Sequence, residues 1–164
     1  MNNTTIEIYT DGSCNPKENI GAWAAILEID GESVTIKGFT KNTTHNRMEL
    51  LAVINALDYL KQNDLEKRPV VVFTDSQYVE KIKERATKIE QQQYQTKAGK
   101  EIRNADLVEI LIKQLDSGDI TFKKVKAHQK AGEKPNLNRE VDKIARRLVR
   151  GNYDTDLLNF DEGA

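Results

Sequence analysis

Pro69-Val70-Val71-Val72-Phe73-Thr74-Asp75-Ser76 is the stretch that decides the fold. Four apolar residues in unbroken succession, three of them β-branched, read as a strand covered on both faces by other elements. Such a strand belongs inside an α/β arrangement, so the flanking segments must supply helices. They do. From Asn46 to Gln62 the apolar positions Leu50, Val53, Ile54, Leu57 and Leu60 fall on one helical stripe. Ser76 opens a second helical segment carrying Tyr78, Val79 and Ile82.

Upstream, Ile6, Ile8 and Thr10 alternate with Glu7, Tyr9 and Asp11, a strand read as ending at Asp11-Gly12. Asn15-Pro16 and Gly21 punctuate a loop, and Trp23 to Ile29 forms a second strand with Trp23 in the core. Asp30-Gly31 signals a hairpin into a third strand, Ser33 to Thr40. Downstream, residues 85–103 are polar and weakly periodic, which fits a protruding helix or loop. Ala105 to Leu115 is helical, Ile120 to Val125 is a last strand, and Asn138 to Arg150 is a last helix. The order βββαβα…αβα predicts an α/β fold with a mixed sheet and helices on its faces. No linker or repeat divides the chain, so 1–150 reads as one domain followed by an acidic tail, 151–164.

A chain of 164 residues can build one proper core. No apolar run approaches the ~20 residues of a membrane span, and the N-terminus has no basic-then-apolar signal pattern. Cys14 is the single cysteine, so no internal disulfide forms and a reducing cytoplasm is expected. The net charge of -1 conceals segregation: residues 81–103 hold 7 bases and 3 acids, and 122–150 hold 10 bases and 3 acids. Basic stretches on both sides of an acidic pocket suit a gripped polyanion, although two lysine-rich solvated helices would have the same composition.

Four islands carry an acid apiece: Tyr9-Thr10-Asp11-Gly12-Ser13, Asn46-Arg47-Met48-Glu49-Leu50, Phe73-Thr74-Asp75-Ser76 and Val141-Asp142-Lys143. Each has a local explanation. Asp11 suits a turn, Asp75 a helix N-cap, Glu49 a helix N-terminus, and Asp142 an i,i+4 pair with Arg146. Together they border apolar stripes where strands end, and open α/β sheets place ligands at that edge. Clustered carboxylates repel unless protonated or metal-bound, and all-oxygen ligands select Mg2+ or Mn2+. Two such cations ~4 Å apart suit phosphodiester hydrolysis.

The segments Tyr9-Thr10-Asp11-Gly12-Ser13-Cys14, His45-Asn46-Arg47-Met48-Glu49-Leu50 and Thr74-Asp75-Ser76-Gln77-Tyr78-Val79 resemble ribonuclease H type 1. Val125-Lys126-Ala127-His128 and Asn138-x-x-Val141-Asp142 extend the resemblance, in the same order, over roughly residues 5–150. It implies a ribonuclease H-like sheet of five strands, antiparallel β1–β3 plus parallel β4 and β5. It also implies a monomeric endonuclease that cuts the RNA strand of RNA/DNA hybrids to 5′-phosphate and 3′-hydroxyl ends.

By that resemblance Asp11 bridges two Mg2+ ions, which Mn2+ can replace. Glu49 and Asp75 complete one ion and Asp142 holds the other. His128 assists proton transfer or product departure. Gly12, Ser13, Cys14 and Asn15, with Asn46 and Gln77, match positions that read the minor groove, and Thr44 and Asn104 match a DNA-phosphate pocket. For Asn104, simple capping of the following helix is the local alternative. His45 departs from the asparagine usual before Asn46, and residues 81–103 replace a basic protrusion with a more dilute one. An inactive hybrid-binding module would keep the fold without needing four mutually repelling acids. Met1 just ahead of the first strand favours a free-standing protein over a reverse-transcriptase domain.

Overall fold

The structure is a computed structural model that describes residues 4–125 and 136–151. The elements run β1 (Ile6–Asn15), β2 (Ile20–Ile29), β3 (Glu32–Lys41), α1 (His45–Gln62), β4 (Val70–Thr74), α2 (Gln77–Gln91), α3 (Ala105–Ser117), β5 (Ile120–Lys124) and α4 (Leu137–Val149). The five strands form one sheet in the order β3-β2-β1-β4-β5. β1 pairs antiparallel with β2, and β2 with β3, whereas β1–β4 and β4–β5 are parallel. This is the mixed ribonuclease H-like sheet that the resemblance implied.

Strand periodicity divides the core into two faces. Ile6 and Ile8 of β1, Trp23, Ala25 and Leu27 of β2, and Val70 and Val72 of β4 join the helices α1 and α3 in the main core. On the other face Ala24 and Ile26 pack with Val141 and Ala145 of α4, and Tyr9 lies against them. Leu148 continues that layer onto Ala22 and Phe39. Because α4 lies over β1, β2 and β3, Val71 and Phe73 of β4 are only half-buried. The apolar run that suggests cover on both faces is therefore fully covered on one. Phe73 compensates by stacking on Tyr9 of β1, with ring centroids 4.6 Å apart.

α1 is the central helix. Thr44, in extended conformation, accepts the Arg47 N–H at its N-terminus, and Lys61 sits in its last turn, the favourable end for a cation. The helix packs hard against the first two strands. A β-carbon at Gly12 would fall 2.7 Å from Glu49 N and 2.8 Å from Met48 C, and one at Gly21 would meet Thr43 and Met48. Two missing side chains thus let the start of α1 descend onto the sheet.

Residues 85–103 are less detached than their polarity suggests. α2 continues to Gln91, and a bridge joins Gln95 to Glu101. Ile89, Tyr94 and Ile102 pack against the main core, while Lys81, Arg85, Lys88, Lys97 and Arg103 border a cleft of about 420 Å³ beside them.

Candidate metal centre

β1 does not end at Asp11-Gly12. It runs to Asn15, paired throughout with β2, while its pairing to β4 stops at Tyr9 opposite Phe73. Asp11 and Asp75 each stand two residues beyond that last pair, so the overrun of β1 sets the two carboxylates side by side. Period two also puts Asp11 on the face of Tyr9, the face that α4 covers. Ser76, not Asp75, caps α2 by accepting the Val79 N–H at 3.2 Å. The capping role that Asp75 could have filled is taken by its neighbour.

Glu49 arrives from α1, on the opposite face. The first turn of α1 contains no acid, so a helix-terminus role does not account for Glu49. Its side chain is 1% exposed, with Oε1 accepting the Gly12 N–H at 2.8 Å. Oε2 is buried without a hydrogen-bond partner among the described residues. Asp11, Glu49 and Asp75 each place one carboxylate oxygen within 4.8 Å of the other two. Asp142 of α4 lies beside Asp11 but outside that group of three, and it accepts Arg146 Nε at 3.2 Å, the i,i+4 pair read from the sequence.

Electrostatics mark the same place. Burial, then the Glu49 charge, the hydrogen bond to Asp142 and the Asp75 charge push the Asp11 carboxyl up to about 10. Burial and the Asp75 charge push Glu49 up to about 8, against the pull of hydrogen bonds from Asp11 and the Gly12 N–H. The protein alone therefore holds these groups protonated, or exchanges their protons for a cation. An all-oxygen donor set with an orphaned, buried carboxylate oxygen fits a hard divalent ion.

The remaining sequence-predicted residues lie around this centre with differing roles. Gly12 donates its N–H to Asp11 Oδ1 and Glu49 Oε1, so that group is spent internally. Ser13, Cys14 and Asn15 pair with Ala22, Gly21 and Ile20 across the β1–β2 ladder. The Cys14 thiol donates to the Thr43 carbonyl, and Asn15 Oδ1 accepts the N–H groups of Lys17 and Glu18. Asn46 and Gln77 are exposed in the opening turns of α1 and α2. His128 and the tail beyond Gly151 lie outside the described residues.

Thr44 and Asn104 are joined through Arg47. Arg47 gives its backbone N–H to Thr44 Oγ1 and Nη1 to Asn104 Oδ1, at 3.3 and 3.4 Å, and holds Asp106 with both guanidinium nitrogens at 3.0 and 2.9 Å. Asn104 makes no side-chain cap to α3; its amide instead donates to the Tyr78 hydroxyl at 3.0 Å. One further neighbour was legible only as a spacing: His45 Nε2 lies 3.4 Å from Glu49 Oε1, one helical turn away.

A sheet of this order, with hard oxygen donors gathered beyond the carboxyl end of its parallel pair, defines a metal-dependent phosphodiester hydrolase. The chain belongs to the RNase H family, whose model matches residues 3–150. It is 38% identical over 147 residues to a ribonuclease H of Caldicellulosiruptor saccharolyticus, a match covering 88% of this chain and 96% of that one. It is 39% identical over 142 residues to a ribonuclease H of Hahella chejuensis, covering 86% and 90%. In fold it is similar to a crystal structure of a type 1 RNase H with the type 2 active-site motif. That match has a TM-score of 0.76 at 22% identity and covers 94% of this chain and 76% of the other. A foamy viral protease-reverse transcriptase in complex with RNA/DNA hybrid is similar at TM-score 0.70 and 18% identity, over 87% of this chain and 19% of that one.

Proposed function

We propose that this ribonuclease H cuts the RNA strand of RNA/DNA hybrids, leaving 5′-phosphate and 3′-hydroxyl ends, as a monomer in the cytoplasm. The observation that carries the reading is the convergence of Asp11, Glu49 and Asp75 within 4.8 Å, with Asp142 beside Asp11. Asp11 would bridge two Mg2+ or Mn2+ ions, Glu49 and Asp75 would complete one, and Asp142 would hold the other. Bound there, the ions would supply a nucleophilic water at neutral pH and stabilise the departing oxygen.

The chain's own residues set up that chemistry. The Gly12 N–H fixes the carboxylate of Glu49, and Arg146 orients Asp142. Beyond Tyr9, β1 pairs only with β2, and past the buried Gly12, whose N–H is spent on Asp11 and Glu49, the half-buried Ser13 to Asn15 offer main-chain groups that would meet a minor groove. Exposed Asn46 and Gln77 stand in the opening turns of α1, which carries Glu49, and of α2, which follows Asp75, a placement suited to the 2′-hydroxyls of a near-A-form duplex. Thr44 and Asn104, tied through Arg47, would receive a phosphate of the DNA strand. His128 would carry a proton or speed product departure, on the strength of the family motif.

Labelled hybrid, double-stranded RNA and single-stranded RNA, each incubated with Mg2+, Mn2+ or chelator, test the reading. Cleavage of the hybrid's RNA strand only when an ion is present is the expected result. Undiminished cleavage in chelator would overturn the metal mechanism. Hybrid binding with no cleavage under any ion would instead favour a binding module.

A further inference from the structure

His45 and Glu49 share one face of α1, an i,i+4 spacing at which two side chains of a helix can grip the same ion. His45 Nε2 lies 3.4 Å from Glu49 Oε1, long for a hydrogen bond from a ring N–H. It is the spacing of neighbouring ligands. Donors about 2.1–2.2 Å from one cation and about 100° apart stand roughly 3.3 Å from each other. The His45 nitrogen stands outside the group formed by Asp11, Glu49 and Asp75; the imidazole is 62% exposed and would reach the centre by turning about its side-chain bonds. The acid itself has a donor to spare for an ion: Glu49 Oε2, in a side chain 1% exposed, is buried with no hydrogen-bond partner among the described residues.

We propose that His45 is a direct nitrogen ligand of the divalent ion at Glu49. The inference rests on the reading of Asp11, Glu49 and Asp75 as a metal centre and deepens it. An imidazole nitrogen suits transition ions, whereas Mg2+ keeps oxygen ligands and several waters. His45 therefore turns an oxygen site into a mixed one and biases this chain toward Mn2+ over Mg2+. An asparagine in its place, the residue the family resemblance leads one to expect, offers a hard oxygen and removes the bias.

The test uses the intact protein and Mn2+ itself. Pulsed electron paramagnetic resonance of bound Mn2+ reports nitrogen coupling directly, and Mn2+ and Mg2+ binding isotherms report preference. Only two histidines exist, so the variants His45→Asn and His128→Ala assign any coupling. The expected result is coupling in the wild type and in His128→Ala, and none in His45→Asn. Mn2+ affinity of His45→Asn should fall roughly 10- to 100-fold, with Mg2+ affinity little changed. Bound Mn2+ without nitrogen coupling, or coupling that survives His45→Asn, would overturn the proposal and leave the metal centre standing. Failure of the wild type to bind Mn2+, or binding unaffected by Asp11→Asn, would overturn the centre and this proposal with it.

Discussion

The Gly12 N–H donates to Glu49 Oε1 across 2.8 Å, joining a strand to the helix packed on it through the acid itself. One hydrogen bond therefore links the sheet edge, the descent of α1 and the position of a candidate ligand. Gly12 serves this junction twice, by its N–H and by having no β-carbon.

Gly12→Ala should destabilise the protein by about 1–3 kcal/mol and reduce cleavage. The added methyl would meet main-chain atoms of Met48 and Glu49, which have no rotamer by which to escape. Urea midpoints and hybrid-cleavage rates check this. An unchanged midpoint with full activity would mean that α1 can lift off the sheet at no cost.

Asp75→Asn should lower cleavage by at least ~100-fold, since even residues that merely orient metal ligands are worth 10–100-fold. Fold and hybrid binding should persist, because Ser76 and not Asp75 caps α2. Circular dichroism, a gel-shift assay and single-turnover rates separate the three quantities.

Without divalent ions, stability should fall as pH rises. Asp11 and Glu49 have folded-state values of about 10 and about 8, both above the ordinary carboxylate range. Between that range and those values the folded state binds more protons than the unfolded state, so the slope of unfolding free energy with pH is negative. Their contribution is complete in acid and lost as pH rises through about 8 and then 10. Thermal melts in chelator from pH 5 to pH 9 should show the decline, Mg2+ or Mn2+ should offset it at the alkaline end, and Asp11→Asn should flatten it.

Arg47→Ala should cost about 1 kcal/mol of stability, the worth of a partly exposed bidentate pair. The guanidinium is held by Asp106, so it is not free to neutralise a phosphate. The slope of log Kd for hybrid against log salt should therefore stay the same. A shallower slope would place Arg47 on the duplex instead.

Much of the molecule was legible along the chain because the signals are local. Val70 to Phe73 announces a buried strand, the stripe from Leu50 to Leu60 announces α1, and Asp142 with Arg146 announces a helical pair that the structure contains. Other readings failed for lack of a long-range partner. Gly12 looks like the end of a strand, yet it passes through β1 because α1 needs a position with no side chain there. Residues 85–103 look solvated, but Ile89, Tyr94 and Ile102 find the core once α2 and the following turn are folded. Asn104 resembles a cap, and its amide is committed to Tyr78.

Sequence alone determined which acids were unexplained by apolar patterning, and the five motifs named their family. It left each acid a plausible local duty, because capping, turn and helix-terminus roles depend only on near neighbours. Tertiary structure removed those duties from Asp75 and Glu49 and gathered them with Asp11. The physical cause is register. β1 outruns β4 past Tyr9 and Phe73, α1 closes on Gly12, and α4 delivers Asp142 from the other face. Desolvation and mutual repulsion, the properties that make the cluster a metal centre, arise only when those three elements meet.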